Sequence, residues 1–109
     1  MKKVSYQRIM KALAGSVRKW ERIIAGKDRD QGVANCPLCK IFWERRLCAG
    51  CPVAEKTGKS SCDGSPYTKF VKACGYNAYP EPTAKRFKQL ANAELRFLRK
   101  LEADWAGRY

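Results

Sequence analysis

The sequence predicts an all-α fold, with two long amphipathic helices flanking a loop-rich cysteine module that carries short helices. Three observations predict it. Apolar residues recur at helical spacing near both ends of the chain, and no segment alternates as a strand would. Five of the six cysteines crowd between residues 36 and 62, in a region punctuated by Pro and Gly. At 109 residues the chain is sized for a single domain, 1–109, organised as 4–25, 35–80 and 83–106. A domain this small buries only about two-thirds of its unfolded surface, so any cross-link among its central loops weighs heavily in its stability.

Residues 4–25 read as the first helix. Ile9, Leu13, Val17, Trp20 and Ile24 follow one another at steps of four, four, three and four and so share a face, and Gly26 is placed to stop the helix. Arg8, Lys11, Arg18 and Arg22 form a basic stripe on the far side. "GKDRDQGVAN" (26–35) reads as a polar loop in which Asp28 and Asp30, flanked by Lys27 and Arg29, make a solvated turn.

Within 35–80, Pro37, Pro52 and Pro66 each stand before a short run that suits a helix, because Pro is tolerated at a first helical position. The runs are "CKIFWERRL", "PVAEKTG" stopped by Gly58, and "SPYTKFVKACG" with Ser65 as N-cap and Gly75 as stop. "GYNAYPEP" (75–82) is a loop. The last helix, 83–106, has Thr83 as its expected cap and Phe87, Leu90, Ala91, Phe97, Leu98, Leu101 and Trp105 on one stripe. Glu94 falls inside that stripe, where a carboxylate is costly unless paired, so a basic partner on the first helix or a place at the rim is expected. Lys85, Lys88, Arg96, Arg99 and Lys100 occupy the opposite side.

Lys plus Arg number 23 against 10 acidic residues, a formal charge of +13. Such an excess repels itself and is commonly offset by a polyanion. Arg8, Lys11, Arg18, Arg22, Arg45, Arg46, Lys85, Lys88, Arg96 and Arg99 are the candidate nucleic-acid contacts. They would grip phosphates in a salt-dependent way with little sequence preference. Tyr76 and Tyr79 are placed to stack on unpaired bases or, the blander reading, to pack over the cysteine site. The start of the chain, "MKKVSYQRIMKALAG", is interrupted by Gln7, Arg8 and Lys11 and cannot form a signal-peptide core. No stretch approaches the roughly 20 apolar residues of a membrane span. A soluble, cytoplasmic chain with reduced thiols is the expectation, with no membrane partner.

Cys36/Cys39 and Cys48/Cys51 are two Cys-x-x-Cys pairs separated by eight residues, and Cys62 follows ten residues later. Two such turns can close a tetrahedral thiolate shell, and backbone N–H groups after the first Cys can donate to its sulfur. With no histidine in the chain, four of the five thiols Cys36, Cys39, Cys48, Cys51 and Cys62 are the only conventional strong zinc ligands. A [4Fe–4S] cluster also takes four cysteines and favours a Cys-Pro ending, which Cys51-Pro52 supplies. Zn2+ and [4Fe–4S] both stay open. Cys74 closes a predicted helix and reads as a small core residue.

These motifs carry a resemblance. "VRKWERIIAG", "NCPLC", "CAGCPVAEKTGK" and "CDGSPY" together resemble a group of small cysteine-rich proteins of tailed bacteriophages and prophages. Members share a leading helix with a Trp-Glu pair, then C-x-x-C, C-x-G-C-P, a Thr-Gly and a C-x-x-[ST]-P-Y ending. The match spans about residues 17–67 and carries Cys36, Cys39, Cys48, Cys51 and Cys62, with Gly50, Pro52, Pro66 and Tyr67 around them. It implies a phage origin and a metal-binding module in the host cytoplasm, and it implies no activity.

Several chemistries are excluded by residue type. HNH-nuclease, serine–histidine and cysteine–histidine catalysis all need the histidine that this chain lacks. "TGKS" (57–60) is no P-loop, since Val53 stands where the first Gly belongs and no strand precedes it. Asp63 beside Cys62 could support a ligand but not catalyse alone. The chain is expected not to be an enzyme, redox chemistry at a cluster excepted, and no small-molecule substrate suggests itself. An accessory nucleic-acid-binding protein with a structural metal is the first expectation. A [4Fe–4S] redox or sensing protein is the second. The third is a non-catalytic module, such as an inhibitor, that docks on an acidic patch of a host or phage protein.

Overall fold

Ser5 starts the first helix. In the computed structural model, which describes residues 4–42, 50–59, 62, 64–75, 79–81 and 83–108, its hydroxyl accepts from the Arg8 N–H and caps α1, Tyr6–Ile24. A short 3-10 turn, Gly32–Asn35, leads into α2, Pro37–Phe42. Then come α3, Pro52–Thr57, α4, Pro66–Cys74, and α5, Lys85–Ala106. Among the described residues the fold is all-helical, and the two long helices α1 and α5 bracket the short ones. No helix among them is long and apolar enough to cross a membrane.

The Pro and Gly signals act where the sequence puts them, and two of the polar caps do not. Pro37, Pro52 and Pro66 each open a helix, and Gly58 closes α3 at φ 74°, a left-handed conformation that glycine adopts without a Cβ penalty. Ser65 sits at the N-cap of α4, but its hydroxyl donates to the Cys62 carbonyl rather than capping the helix. Thr83 does not cap α5. Ala84 holds the N-cap position without a side-chain bond, so the helix begins one residue later than its polar cue.

The long helices run antiparallel. Tyr6, at the start of α1, donates to the carbonyl of Trp105 at the end of α5, and Glu21, further along α1, pairs with Arg99. Their facing stripes build one core, from Ile9, Leu13, Val17 and Trp20 to Phe87, Ala91, Leu98, Leu101 and Trp105. Ile23, fully buried, takes the place expected of Ile24, which is only half-buried. Leu95 joins the core as well. An edge-to-face chain of rings, Trp20 to Phe70 (centroids 4.9 Å) and Phe70 to Phe87 (5.5 Å), ties α4 between α1 and α5.

The cysteine module lies along this pair of helices. Pro37 seats on the middle of α1, Phe70 on the start of α5, and Glu55 of α3 pairs with Arg108 just past the end of α5. The run "CKIFWERRL" is helical through Phe42, and its remainder, with Trp43, Arg45, Arg46 and Cys48, lies outside the described residues.

Candidate metal centre

The first cysteine turn is built onto α1 by a missing side chain. A Cβ at Gly15 would stand 3.0 Å from Pro37 Cγ, so a larger residue would push the proline back by a few tenths of an ångström. Cys36 then precedes α2, and Cys39 falls in its first turn. The Cys39 N–H donates to Cys36 Sγ at 3.3 Å, the bond that the Cys-Pro-x-Cys spacing predicts. The Cys39 thiol also donates to that sulfur. This bond, with the Cys39 and Leu38 backbone N–H groups and the Lys19 ammonium, brings the Cys36 pKa from 9.0 to about 6 against the opposing effect of burial. Cys39 is pushed well above its ordinary value because it is the donor in the bond. Burial and the negative charges of Cys36, Cys62 and Cys51 add to that rise.

The other thiols arrive from separate segments. Gly50, at φ 87°, turns the chain into Cys51, which is buried at the N-cap of α3. Cys62 is the one non-glycine residue at positive φ among the described residues, at 63°. Its carbonyl accepts from the Ser65 N–H (3.2 Å), the Ser65 hydroxyl (2.6 Å) and the Thr68 hydroxyl (3.1 Å). Three donors on one carbonyl hold a backbone conformation that costs about 1–3 kcal/mol, and such residues cluster at functional sites.

Cys36, Cys51 and Cys62 thus all act on Cys39, and none of the described cysteines is in a disulfide. The convergence stops short of a ligand shell. Among the described residues, no three thiols or carboxylates stand close enough to hold a metal ion as they are. Cys48 and Asp63 lie outside the described residues. Cys74 is half-buried against the core at the end of α4, and burial raises its pKa.

Beneath the Cys36 turn lies a charged network that sequence reasoning placed in solvent. Asp30 is 1% exposed and Lys19 8%, and they form an ion pair at 2.9 Å. Asp30 Oδ1 also accepts the Gly32 N–H at 3.0 Å, and Oδ2 accepts the Tyr67 hydroxyl at 2.8 Å. The solvated-turn reading therefore holds for half-buried Asp28, which meets Arg22 at 3.8 Å, and fails for Asp30. Glu94, expected to pair with a basic residue of α1 or to sit at the rim, is instead buried with Oε1 unbonded. Lys19 is the basic residue whose charge it feels, yet Lys19 is bonded to Asp30. Burial raises the Glu94 pKa from 4.5 to about 8; Lys19 works against that rise, and Cys36 and Asp30 add to it.

The basic candidates divide. Arg8, Lys11, Arg18 and Arg22 are exposed on α1, and Lys85, Lys88, Arg96 and Arg99 on α5. Lys85, Lys88 and Arg96 line one shallow groove with Thr83, Gln89 and Asn92. Arg99 is engaged by Glu21 at 3.0 Å. Tyr76 is outside the described residues, and Tyr79 does not pack over the cysteines. It is 74% exposed, with the Arg29 guanidinium 4.7 Å from its ring centroid. No family model, curated protein or solved structure matches this chain.

Proposed function

We propose that this chain is a small basic metal-binding protein of the kind its motifs resemble in tailed phages, acting in the cytoplasm as a nucleic-acid-binding accessory without catalysis of its own. One observation carries the metal reading. Cys36, Cys51 and Cys62, from three separate segments, pack on one core without forming disulfides, Cys39 lies beside Cys36, and the Cys62 backbone is held left-handed. Soft, readily deprotonated sulfur suits Zn2+ or a [4Fe–4S] cluster, and oxygen-seeking cations fit it poorly. Cys36, Cys39, Cys51 and Cys62 are the proposed ligands, with Cys48 the alternative fourth. A zinc ion would supply a structural cross-link, and a cluster would add one-electron chemistry.

Anaerobic purification with elemental analysis and a visible spectrum tests this reading. The expected result is one zinc per chain in a colourless protein, or about four irons with absorption near ~400 nm. Cys39→Ser should lose that metal, whereas Cys74→Ser should keep it. A wild-type protein holding neither metal after reconstitution would overturn the reading.

The nucleic-acid part rests on the +13 charge and on basic stripes left exposed on both long helices. Binding to duplex or single-stranded DNA or RNA should weaken by orders of magnitude between 50 and 200 mM salt, as ~6–10 phosphate contacts require. Lys85→Glu with Lys88→Glu should weaken it further at fixed salt. Binding that ignores salt, or capture of one acidic protein that survives nuclease treatment, would favour a protein-docking module instead.

A further inference from the structure

We infer that Lys19 is the buried counter-charge of the thiolate centre, a residue that sets the affinity of the cysteines for their metal without touching it. This rests on the metal-binding reading above and goes beyond it. Four thiolates around a zinc ion or an oxidised [4Fe–4S] core leave about two net negative charges, and a negative centre set into protein needs a compensating cation. Among the described residues, Lys19 is the one buried cation.

Its position fits that role. Gly15 and Lys19 are four residues apart on α1 and so share a face, which puts the ammonium one turn from the point where Pro37 of the Cys36-Pro37-Leu38-Cys39 turn sits on the helix. Asp30, which holds the ammonium at 2.9 Å, also accepts the N–H of Gly32, the first residue of the 3-10 turn that runs directly into Cys36. The aspartate is committed elsewhere as well. Its two oxygens accept the Gly32 N–H and the Tyr67 hydroxyl besides the ammonium, so its charge is shared among three donors. The aspartate thus fixes the ammonium beside the thiols while donors on its own side temper its charge. A purely structural purpose would not call for charge here, because a buried ion pair contributes little over an apolar pair of the same shape. What an apolar pair cannot supply is a field at Cys36.

Two variants of the full-length protein give opposite signs. Lys19→Met/Asp30→Asn removes both charges together and keeps a hydrogen-bonding partner for Tyr67. Its affinity for Co2+ or Zn2+, measured by competition with a chromophoric chelator, should fall by about ten- to a hundred-fold, the range for groups just outside a ligand shell. Asp30→Asn alone leaves the ammonium uncancelled and should bind the metal at least as tightly as the wild type. If the protein carries a cluster, the readout is its reduction potential. That potential should move down in the double variant, which loses the ammonium along with an aspartate charge already tempered by its other donors, and up in Asp30→Asn. Equal metal affinity (or equal potential) in the wild type and the double variant overturns the inference. So does weakening in Asp30→Asn, which also decides the matter if the double variant does not fold. A wild-type protein that takes up no metal sinks the parent reading instead, and the two failures are distinct.

Discussion

Asp30→Ala should lower the free energy of unfolding by about 3–5 kcal/mol, the cost of stripping one partner from a buried pair. The size follows from what is left behind. Lys19 is 7% exposed at its side chain and would lose its anion without gaining water. The Tyr67 hydroxyl and the Gly32 N–H would lose their acceptor in the same step. Tyr67 also meets Trp20 edge-to-face at 6.1 Å, so its displacement would loosen the contact between α1 and α4. Asp28→Ala is the control, because Asp28 is half-buried and its contact with Arg22, 52% exposed at its side chain, is worth at most about 1 kcal/mol. Urea unfolding followed by Trp fluorescence measures both. Equal midpoints for the two alanine variants would show that the Lys19–Asp30 pair does not bind the 26–35 segment to α1.

That contrast also marks how far the sequence could be read. Helix α1 and helix α5 were legible because burial of one stripe demands a repeat near 3.6 residues, and Pro and Gly act on the backbone within a residue or two. The knuckle hydrogen bond to Cys36 was legible for the same reason, being local. Asp30 was not. Lys27 and Arg29 beside it suggest solvent, whereas its real partner lies 11 residues away on another element. A signal existed on α1 itself. Ala12, Ser16, Lys19 and Ile23 recur at steps of four, three and four, a second buried stripe beside the obvious one, and a lysine within it must find an anion. The function of Gly15 as the seat for Pro37 depends on tertiary contact alone. The convergence of Cys51 and Cys62 on Cys39 depends on loop paths that no periodicity encodes.

Glu94→Gln should make the protein more stable at pH 8.5 and leave it nearly unchanged at pH 4.5. Burial among α1 and α5 side chains raises the Glu94 pKa from 4.5 to about 8, so the folded state keeps a proton that the unfolded chain releases. Between those two values the folded state binds more protons, and stability falls as pH rises, by about 1.4 kcal/mol per pH unit. Below about pH 4.5 both states are protonated and nothing is lost; above about pH 8 the loss is complete and levels off, on the order of 5 kcal/mol in all. Glutamine has the same shape and no charge to desolvate, so this part of the pH dependence should be absent from the variant. Lys19 is the charge that limits the wild-type loss, which makes Lys19→Met the variant in which the fall should continue to higher pH. Urea midpoints at half-unit steps from pH 4.5 to 9 test the argument. Parallel curves for Glu94→Gln and the wild type would mean that water or a cation reaches Oε1 and that the carboxylate is solvated after all.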